Sequence, residues 1–324
     1  MKILYFEPEV DGHRPDYILH LSEYQKKSNT DTNITILVFR EFYEKHKNYL
    51  DKCFKSKDFI IKIINRDKPD SNYLTKSLML WKLLIYYVKQ INPDHVLLGT
   101  FHLFQLPLVL NLKFFKKIKI SGILVRPVMH FKNEFGYKPQ GKEIIKFWRK
   151  KLFHKILIKN KYIQFIYTFD PYFEKYMKGK NYKKVRYITD PCLFKTNVNY
   201  YKEYNWLKRI PENKIIFSMF GALNKKKGAL ESIKSVLKIR DDITEKIGVI
   251  FAGKINYDIK TEFNATVNKV KKKKNIYLHI EDRYLESQEI AVLLTKSDYV
   301  LMPYQNHDGP SGVLMWAAGA KKPV

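Results

Sequence analysis

Short apolar runs alternate with longer stretches of helical periodicity along the whole chain. Runs at 2–6 (KILYF), 33–39 (NITILVF), 59–64 (FIIKII), 95–100 (HVLLGT), 119–125 (KISGILV), 164–169 (QFIYTF) and 185–189 (VRYIT) have the length and β-branched content of buried strands. Between them, segments such as RPDYILHLSEYQKK and YLTKSLMLWKLLIYYVKQI carry apolar residues at helical spacing, and Pro15 suits the first turn of a helix. A tyrosine-rich, polar stretch bounded by prolines follows. The rhythm then restarts with 214–221 (KIIFSMFG), 246–253 (KIGVIFAG), 275–280 (NIYLHI) and 298–304 (DYVLMPY). Alternation of this kind predicts an α/β protein with parallel sheets covered on both faces. The expected organisation is two doubly wound, Rossmann-like domains, 1–190 and 214–324, joined by a linker at 191–213. In such sheets ligands bind at the carboxyl ends of the strands.

Composition narrows the class. With 324 residues, 45% of them hydrophobic and 15% aromatic, the chain has material for two cores. Its longest apolar patch, Leu78 to Val88, is interrupted by Lys82 and is far below the ~20 residues of a membrane span. The N-terminal apolar run is too short for a signal peptide, and Cys53 and Cys192 show neither metal nor redox spacing. A cytoplasmic, disulfide-free protein is expected. The net charge is +28, yet only nine of the 60 basic residues are arginine, a bias that AT-rich coding produces. Readers of nucleic acid lean more on arginine, whose planar fork suits bidentate contacts. The positive field still favours anionic partners, among them sugar nucleotides and lipid headgroups.

Two segments carry chemistry. In FGALNKKKGAL a strand ends at Gly221, a turn presents Lys225, Lys226 and Lys227, and Gly228 opens a helix. Cations at a strand's carboxyl end, beside a helix N-terminus, suit a phosphate; a solvated lysine turn is the plain alternative. In YQNHDGPSGVL, Gly309 and Gly312 allow close approach of backbone to a ligand, Ser311 can cap the next helix, and Asp308 can accept hydrogen bonds from sugar hydroxyls. An ordinary βα turn is the alternative there. No G-x-G-x-x-G, phosphate-loop or D-x-D signature occurs, so neither a dinucleotide reductase, an NTPase nor a transferase with that metal motif is indicated.

These two segments resemble those of glycosyltransferase family 4, whose members have the two-Rossmann GT-B fold. GALNKKKG is similar to the family's G-x-L-x-x-x-K-G, and PYQNHDGPSGVLMWAAGAKKPV to its P-S-x-x-E-G-x-G-x-x-x-x-E-A-x-A-x-G-x-P-V. The likeness covers most of 214–324 and, more faintly, GHRPDYILHL near the N-terminus. It implies that Lys227 binds donor phosphates and that Asp308 stands at the first glutamate of the family pair. Trp316 stands at the second, where it cannot accept a ribose hydrogen bond, and Ala222 replaces a frequent arginine. It further implies a retaining, metal-independent sugar transfer from a nucleotide-sugar donor, with no cofactor. The acceptor would be a glycan or lipid-linked oligosaccharide in bacterial cell-surface polysaccharide or lipopolysaccharide synthesis. Gly221, Lys225, Lys226, Gly309, Ser311 and Gly312 would complete the donor cradle. KKPV would begin a further strand, so that the chain reads as C-terminally truncated.

On the acceptor side the candidates are Gly12, His13 and Arg14 after the first strand, and Arg126 and His130 after the fifth. His102 reads as structural, and no role follows from the acidic Glu7, Glu9 and Asp11. The segment 141–162 holds eight basic residues against one Glu, with Ile145, Trp148, Leu152 and Ile156 in one stripe and Phe147 and Phe153 to either side. The stripe is expected to pack on the sheet, with docking on an anionic membrane surface, peripheral at its inner face, as the other reading. Two rival functions stand beside the transferase: a non-catalytic GT-B-like partner subunit, and a basic nucleic-acid binder. No nucleic-acid module is visible, so nucleic acid is not expected.

Overall fold

A computed structural model describes residues 1–10, 14–28, 31–51, 59–65, 72–111, 118–125, 127–139, 141–190, 204–305 and 311–324. The chain forms two compact units, Met1–Pro191 and Cys192–Val324.

The first unit is built on seven parallel strands: β1 (Lys2–Glu7), β2 (Asn33–Phe39), β3 (Phe59–Ile64), β4 (His95–Leu98), β5 (Lys119–Ile123), β6 (Ile163–Thr168) and β7 (Val185–Tyr187). They are ordered β3-β2-β1-β4-β5-β6-β7. Helices α1 (Arg14–Ser28), α2 (Arg40–Leu50), α3 (Tyr73–Ile91), α4 (Gln105–Asn111), α5 (Phe131–Phe135), α6 (Lys142–Lys159) and α7 (Pro171–Lys178) connect them. The period-two alternation of the strands divides the core. Leu4 and Phe6 of β1 join Leu37 and Phe39 in a cluster with Leu80, Leu84, Leu108, Leu157 and Phe173 from α3, α4, α6 and α7. Tyr5 joins Ile36 and Val38 on the other face, against Ile18 of α1 and Phe42 of α2. Asn72 and Thr75 form a capping box at the start of α3, and Asn92 ends it in the left-handed region. Asp170 caps α7 ahead of Pro171.

Helix α6 departs from expectation. Its core face is Phe147, His154, Leu157 and Ile158, whereas Ile145, Trp148, Leu152 and Ile156 are exposed. The stripe read as core-facing therefore lies outside, because the helix has a second set of apolar residues on the opposite side and only one of the two can meet the sheet.

The second unit has four parallel strands, β8 (Ile215–Phe220), β9 (Ile247–Ala252), β10 (Tyr277–Glu281) and β11 (Tyr299–Val300), ordered β10-β9-β8-β11. Its helices are α8 (Ala229–Val236), α9 (Asp241–Thr244), α10 (Tyr257–Lys273), α11 (Ser287–Lys296) and α12 (Gly312–Gly319). Met219, Val249 and Phe251 face α8 and α10. Ile216, Phe220, Ile250 and Ala252 face α11 and α12. Strand β11 is shorter than the expected 298–304. After Leu301 donates to Ser218 O, the chain leaves the ladder at Met302 and Pro303, and Gln305 N reaches Lys226 O at 2.6 Å. At the other end of the segment, Val300 N donates to Pro323 O at 2.9 Å, so KKPV lies along the outer edge of β11.

The expected linker also needs correcting. Its described part is built into the second unit: Leu207 and Ile210 are buried in that core. Trp206 stacks on His279 at 4.7 Å and donates Nε1–H to the buried Glu289 at 2.7 Å. Tyrosine and polar neighbours mask these three anchors in the sequence.

Two histidines of the first unit are held neutral by burial. His154 is 1% exposed, both of its ring nitrogens lack a hydrogen-bond partner among the described residues, and burial pushes its pKa down to about 3, with Lys150 adding to the effect. His102 is pushed down to about 4, again mainly by burial. Both values lie below that of an unfolded histidine, so the unfolded chain binds the proton first as pH falls. Stability is therefore full above about pH 6.5 and is lost below it, at up to ~1.4 kcal/mol per pH unit for one such group. Thermal melts between pH 7 and pH 4 should show this acid limb, and His154→Leu should flatten it; an unchanged slope would refute the assignment.

Candidate functional site

In the second unit the chain winds outward from β8 through β9 to β10, then returns to β11 on the other side of β8. The carboxyl ends of β8 and β11 are therefore a topological switch point, where open α/β sheets bind ligands. Both chemistry-bearing segments meet there. Asn224 Oδ1 accepts from Lys227 N at 2.9 Å and folds the lysine run into a single 3-10 turn, Lys225–Lys227. That turn leaves Lys225 and Lys226 exposed and directs only Lys227 inward. A β-carbon placed on Gly221 would lie 3.1 Å from Lys227 Nζ and 3.7 Å from Val313 Cγ2, which puts the amine over the end of β8 and beside the first turn of α12. Lys227 Nζ is 5.9 Å from the centre of the Tyr304 ring. The Tyr304 hydroxyl is 3.0 Å from Ser311 Oγ, and Ser311 in turn caps α12 by accepting from Leu314 N at 3.4 Å.

Close backbone contact makes this convergence sterically feasible. Gly228 has φ +73, and a β-carbon there would sit 2.2 Å from the Pro303 carbonyl oxygen. Gly253, at the end of β9, has φ +153 and faces the Gly221 carbonyl, 1.8 Å from where its own β-carbon would be. Only glycine fits either place.

The electrostatics favour an anion. Burial lowers the Lys227 pKa, and among the described residues no carboxylate pairs with it. The adjacent α12 start contributes backbone N–H groups without helical acceptors and the positive end of the helix dipole. Of the donor-cradle residues expected from sequence, Gly221, Lys227, Ser311 and Gly312 are thus brought together, while Lys225 and Lys226 stand on the outer side of the turn. Asp308 and Gly309 lie outside the described residues. Trp316 is buried in the core with Phe220, Val313 and Ala317. Tyr304 and Asn224 escaped the sequence reading; an Asn three residues before Lys227 was the available cue for the cap.

The first unit has its own switch point, between β1 and β4. There Glu7 is wholly buried at the end of β1, and its carboxylate accepts from Arg14 at 3.0 and 3.1 Å, from the Thr100 hydroxyl at 2.9 Å and from the Tyr5 hydroxyl at 3.2 Å. Arg14 also donates to Thr100 Oγ1 at 2.7 Å. Expected as an acceptor-side cation, Arg14 is instead committed to Glu7, whose buried charge demands a partner. Expected on the same side, His130 is also withdrawn: it is fully buried, with Nε2 2.9 Å from Asp170 Oδ2. Burial opposes the Asp170 charge, but the His130 contact and the α7 amides outweigh it and hold the carboxyl below its ordinary range. Gly12, His13 and Arg126 lie outside the described residues.

Seven and four parallel strands in two Rossmann-like units define a GT-B-type fold, and solved structures agree. Anabaena HepE in complex with UDP and glucose superposes with a TM-score of 0.64 at 12% identity, over 100% of this chain and 80% of that one. Sucrose-phosphate synthase from Thermosynechococcus elongatus gives 0.67 at 11% identity, over 100% and 80%. UDP-GlcNAc 2-epimerase from Methanocaldococcus jannaschii gives 0.62 at 14% identity, over 100% and 82%. No family model and no curated protein matches the sequence.

The contacts rank the supports of the two switch points. Gly228→Ala should destabilise the second unit by about 2–4 kcal/mol through the Pro303 clash and the left-handed backbone, and Asn224→Ala by about 1 kcal/mol through the lost cap. Glu7→Ala should cost the first unit about 3–5 kcal/mol by stranding Arg14. Urea unfolding of the three variants checks the order; equal effects would contradict it.

Proposed function

We propose that the chain is a glycosyltransferase that takes a sugar from a nucleotide-sugar donor held by the second unit. One observation carries the reading. The Lys227 ammonium is drawn in over the end of β8, beside the start of α12, where a diphosphate would receive both a cation and free amides. HepE, a protein of the same fold solved in complex with UDP and glucose, supports the reading. In the transfer, Lys227 and the α12 N-terminus neutralise charge developing on the leaving diphosphate, the term that usually dominates such chemistry. Asp308 orients the donor sugar, and Ser311 holds the α12 start. By the family 4 resemblance the transfer is retaining and metal-independent, and the acceptor is a glycan or a lipid-linked oligosaccharide in cell-surface polysaccharide synthesis. The Glu7–Arg14 pair anchors the first turn of α1 on the acceptor side.

A second reading rests on Trp316. The position aligned with the family's second glutamate is a core aromatic, so ribose recognition through that carboxylate is lost, as in a non-catalytic partner subunit.

Calorimetric titration of the full chain with uridine, guanosine, adenosine and deoxythymidine diphosphate sugars separates the two. Saturable binding to one class is expected, weakened about 10–100-fold by Lys227→Ala through loss of a charge-assisted contact. Because burial lowers the Lys227 pKa, affinity should fall on the alkaline side at a lower pH than an ordinary lysine would give. A folded chain that binds none of the four would reject the donor site and leave the partner-subunit reading. Binding without turnover on any glycan acceptor would also favour the latter.

A further inference from the structure

Helix α6 is apolar on two opposite faces, and only one is used. Ile145, Trp148, Leu152 and Ile156 are 75, 58, 56 and 40% exposed. Their spacing of three, four and four residues sets them on one line along the helix. Four large apolar side chains in a row exceed the scattered exposure normal for a protein surface.

The charge around the line identifies its partner. From 144 to 162 there are seven lysines and arginines and no acidic residue. At about 100° per residue, Lys155 and Lys159 project along the margins of the stripe, and Lys146 and Lys151 flank it, while the Arg149 guanidinium lies over the Tyr73 ring at 5.0 Å. Lys151 Nζ lies 4.7 Å from the Trp148 ring centre. A protein interface would have to desolvate these lysines, which interfaces disfavour. A nucleic acid would meet the charges and leave the apolar line in water. A bilayer satisfies both: the apolar line enters the acyl boundary, the lysine stems lie along it and their ammonium groups reach headgroup phosphates. No described helix is long and apolar enough to cross a membrane, so the contact is in the plane of the surface.

We propose that α6 docks the first unit onto a membrane carrying anionic headgroups, with Trp148 at the headgroup boundary. The proposal is independent of the nucleotide-sugar reading, since α6 belongs to the first unit and the β8/β11 residues to the second.

The test is co-sedimentation of the full chain with phosphatidylcholine vesicles, with and without phosphatidylglycerol. Binding to the phosphatidylglycerol vesicles is expected, falling as salt is raised. The double variant Ile145→Ser, Leu152→Ser should bind about tenfold more weakly or worse, since it removes two of the four inserted side chains. Lys155→Glu with Lys159→Glu, which keeps the stripe, should weaken binding as well. On adding vesicles, the tryptophan emission should shift to the blue, and the shift should vanish in Trp148→Phe. All altered residues are exposed, so melting temperatures should be unchanged. Absence of binding by the wild-type chain, equal binding to both vesicle types, or indifference to both double variants would each overturn the proposal. So would light scattering that shows the serine variants dissolving a dimer, which would assign the stripe to a second copy. Binding of sugar nucleotides should be the same in these variants as in wild type, so failure here leaves the donor site standing.

Discussion

Everything at the candidate donor site depends on how closely backbones approach at the carboxyl end of β8. Gly253 lies against the Gly221 carbonyl and Gly228 against the Pro303 carbonyl, so three strand ends and one turn share a space that admits no β-carbon at either glycine. Close packing of main chain, not of side chains, brings the lysine turn under the start of α12. Interiors resist even one added methyl when the neighbour is backbone that cannot move aside. The backbone of the lysine turn is held from within by Asn224 and from without by the Gln305–Lys226 hydrogen bond.

The two switch points treat charge in opposite ways. In the first unit, Glu7 and Arg14 neutralise one another in a buried network completed by Thr100 and Tyr5. That network ties the start of α1 to the end of β1 through Arg14 Nη1. In the second unit, the inward cation has no such carboxylate among the described residues, and the Tyr304 ring and the start of α12 lie beside it. A positive group of this kind is stabilised by an incoming anion and by little else in its surroundings. The same contrast recurs at His130, where Asp170 serves at once as the partner of a buried imidazole and as the cap of α7.

Helix α6 shows how one segment can satisfy a core and still carry apolar surface. Phe147, Leu157 and Ile158 complete the first unit's packing, so the stripe of Ile145, Trp148, Leu152 and Ile156 adds nothing to it. Its lysines keep the exposed line soluble, since long charged stems cover apolar area while their heads stay hydrated.

The sequence by itself determined the architecture. Short apolar runs bounded by turn residues became eleven strands, among the described residues, in two parallel sheets, and the restart of the rhythm after the tyrosine-rich stretch marked a second unit, because a continuous apolar run of strand length reports a strand buried on both faces. It also singled out Gly221 and the lysines 225–227, since a glycine and a basic turn at fixed offsets from a strand end are local features, and the family 4 resemblance pointed to Lys227 among them. What it left open was every question of partnership. Which of three adjacent lysines turns inward depends on Asn224 and on Pro303, far along the chain. Arg14 loses its freedom to Thr100, His130 to Asp170, and Trp206 anchors an apparent linker through Glu289. The face of α6 that meets the sheet was equally hidden, because periodicity shows that a face is apolar and only the tertiary structure shows what covers it.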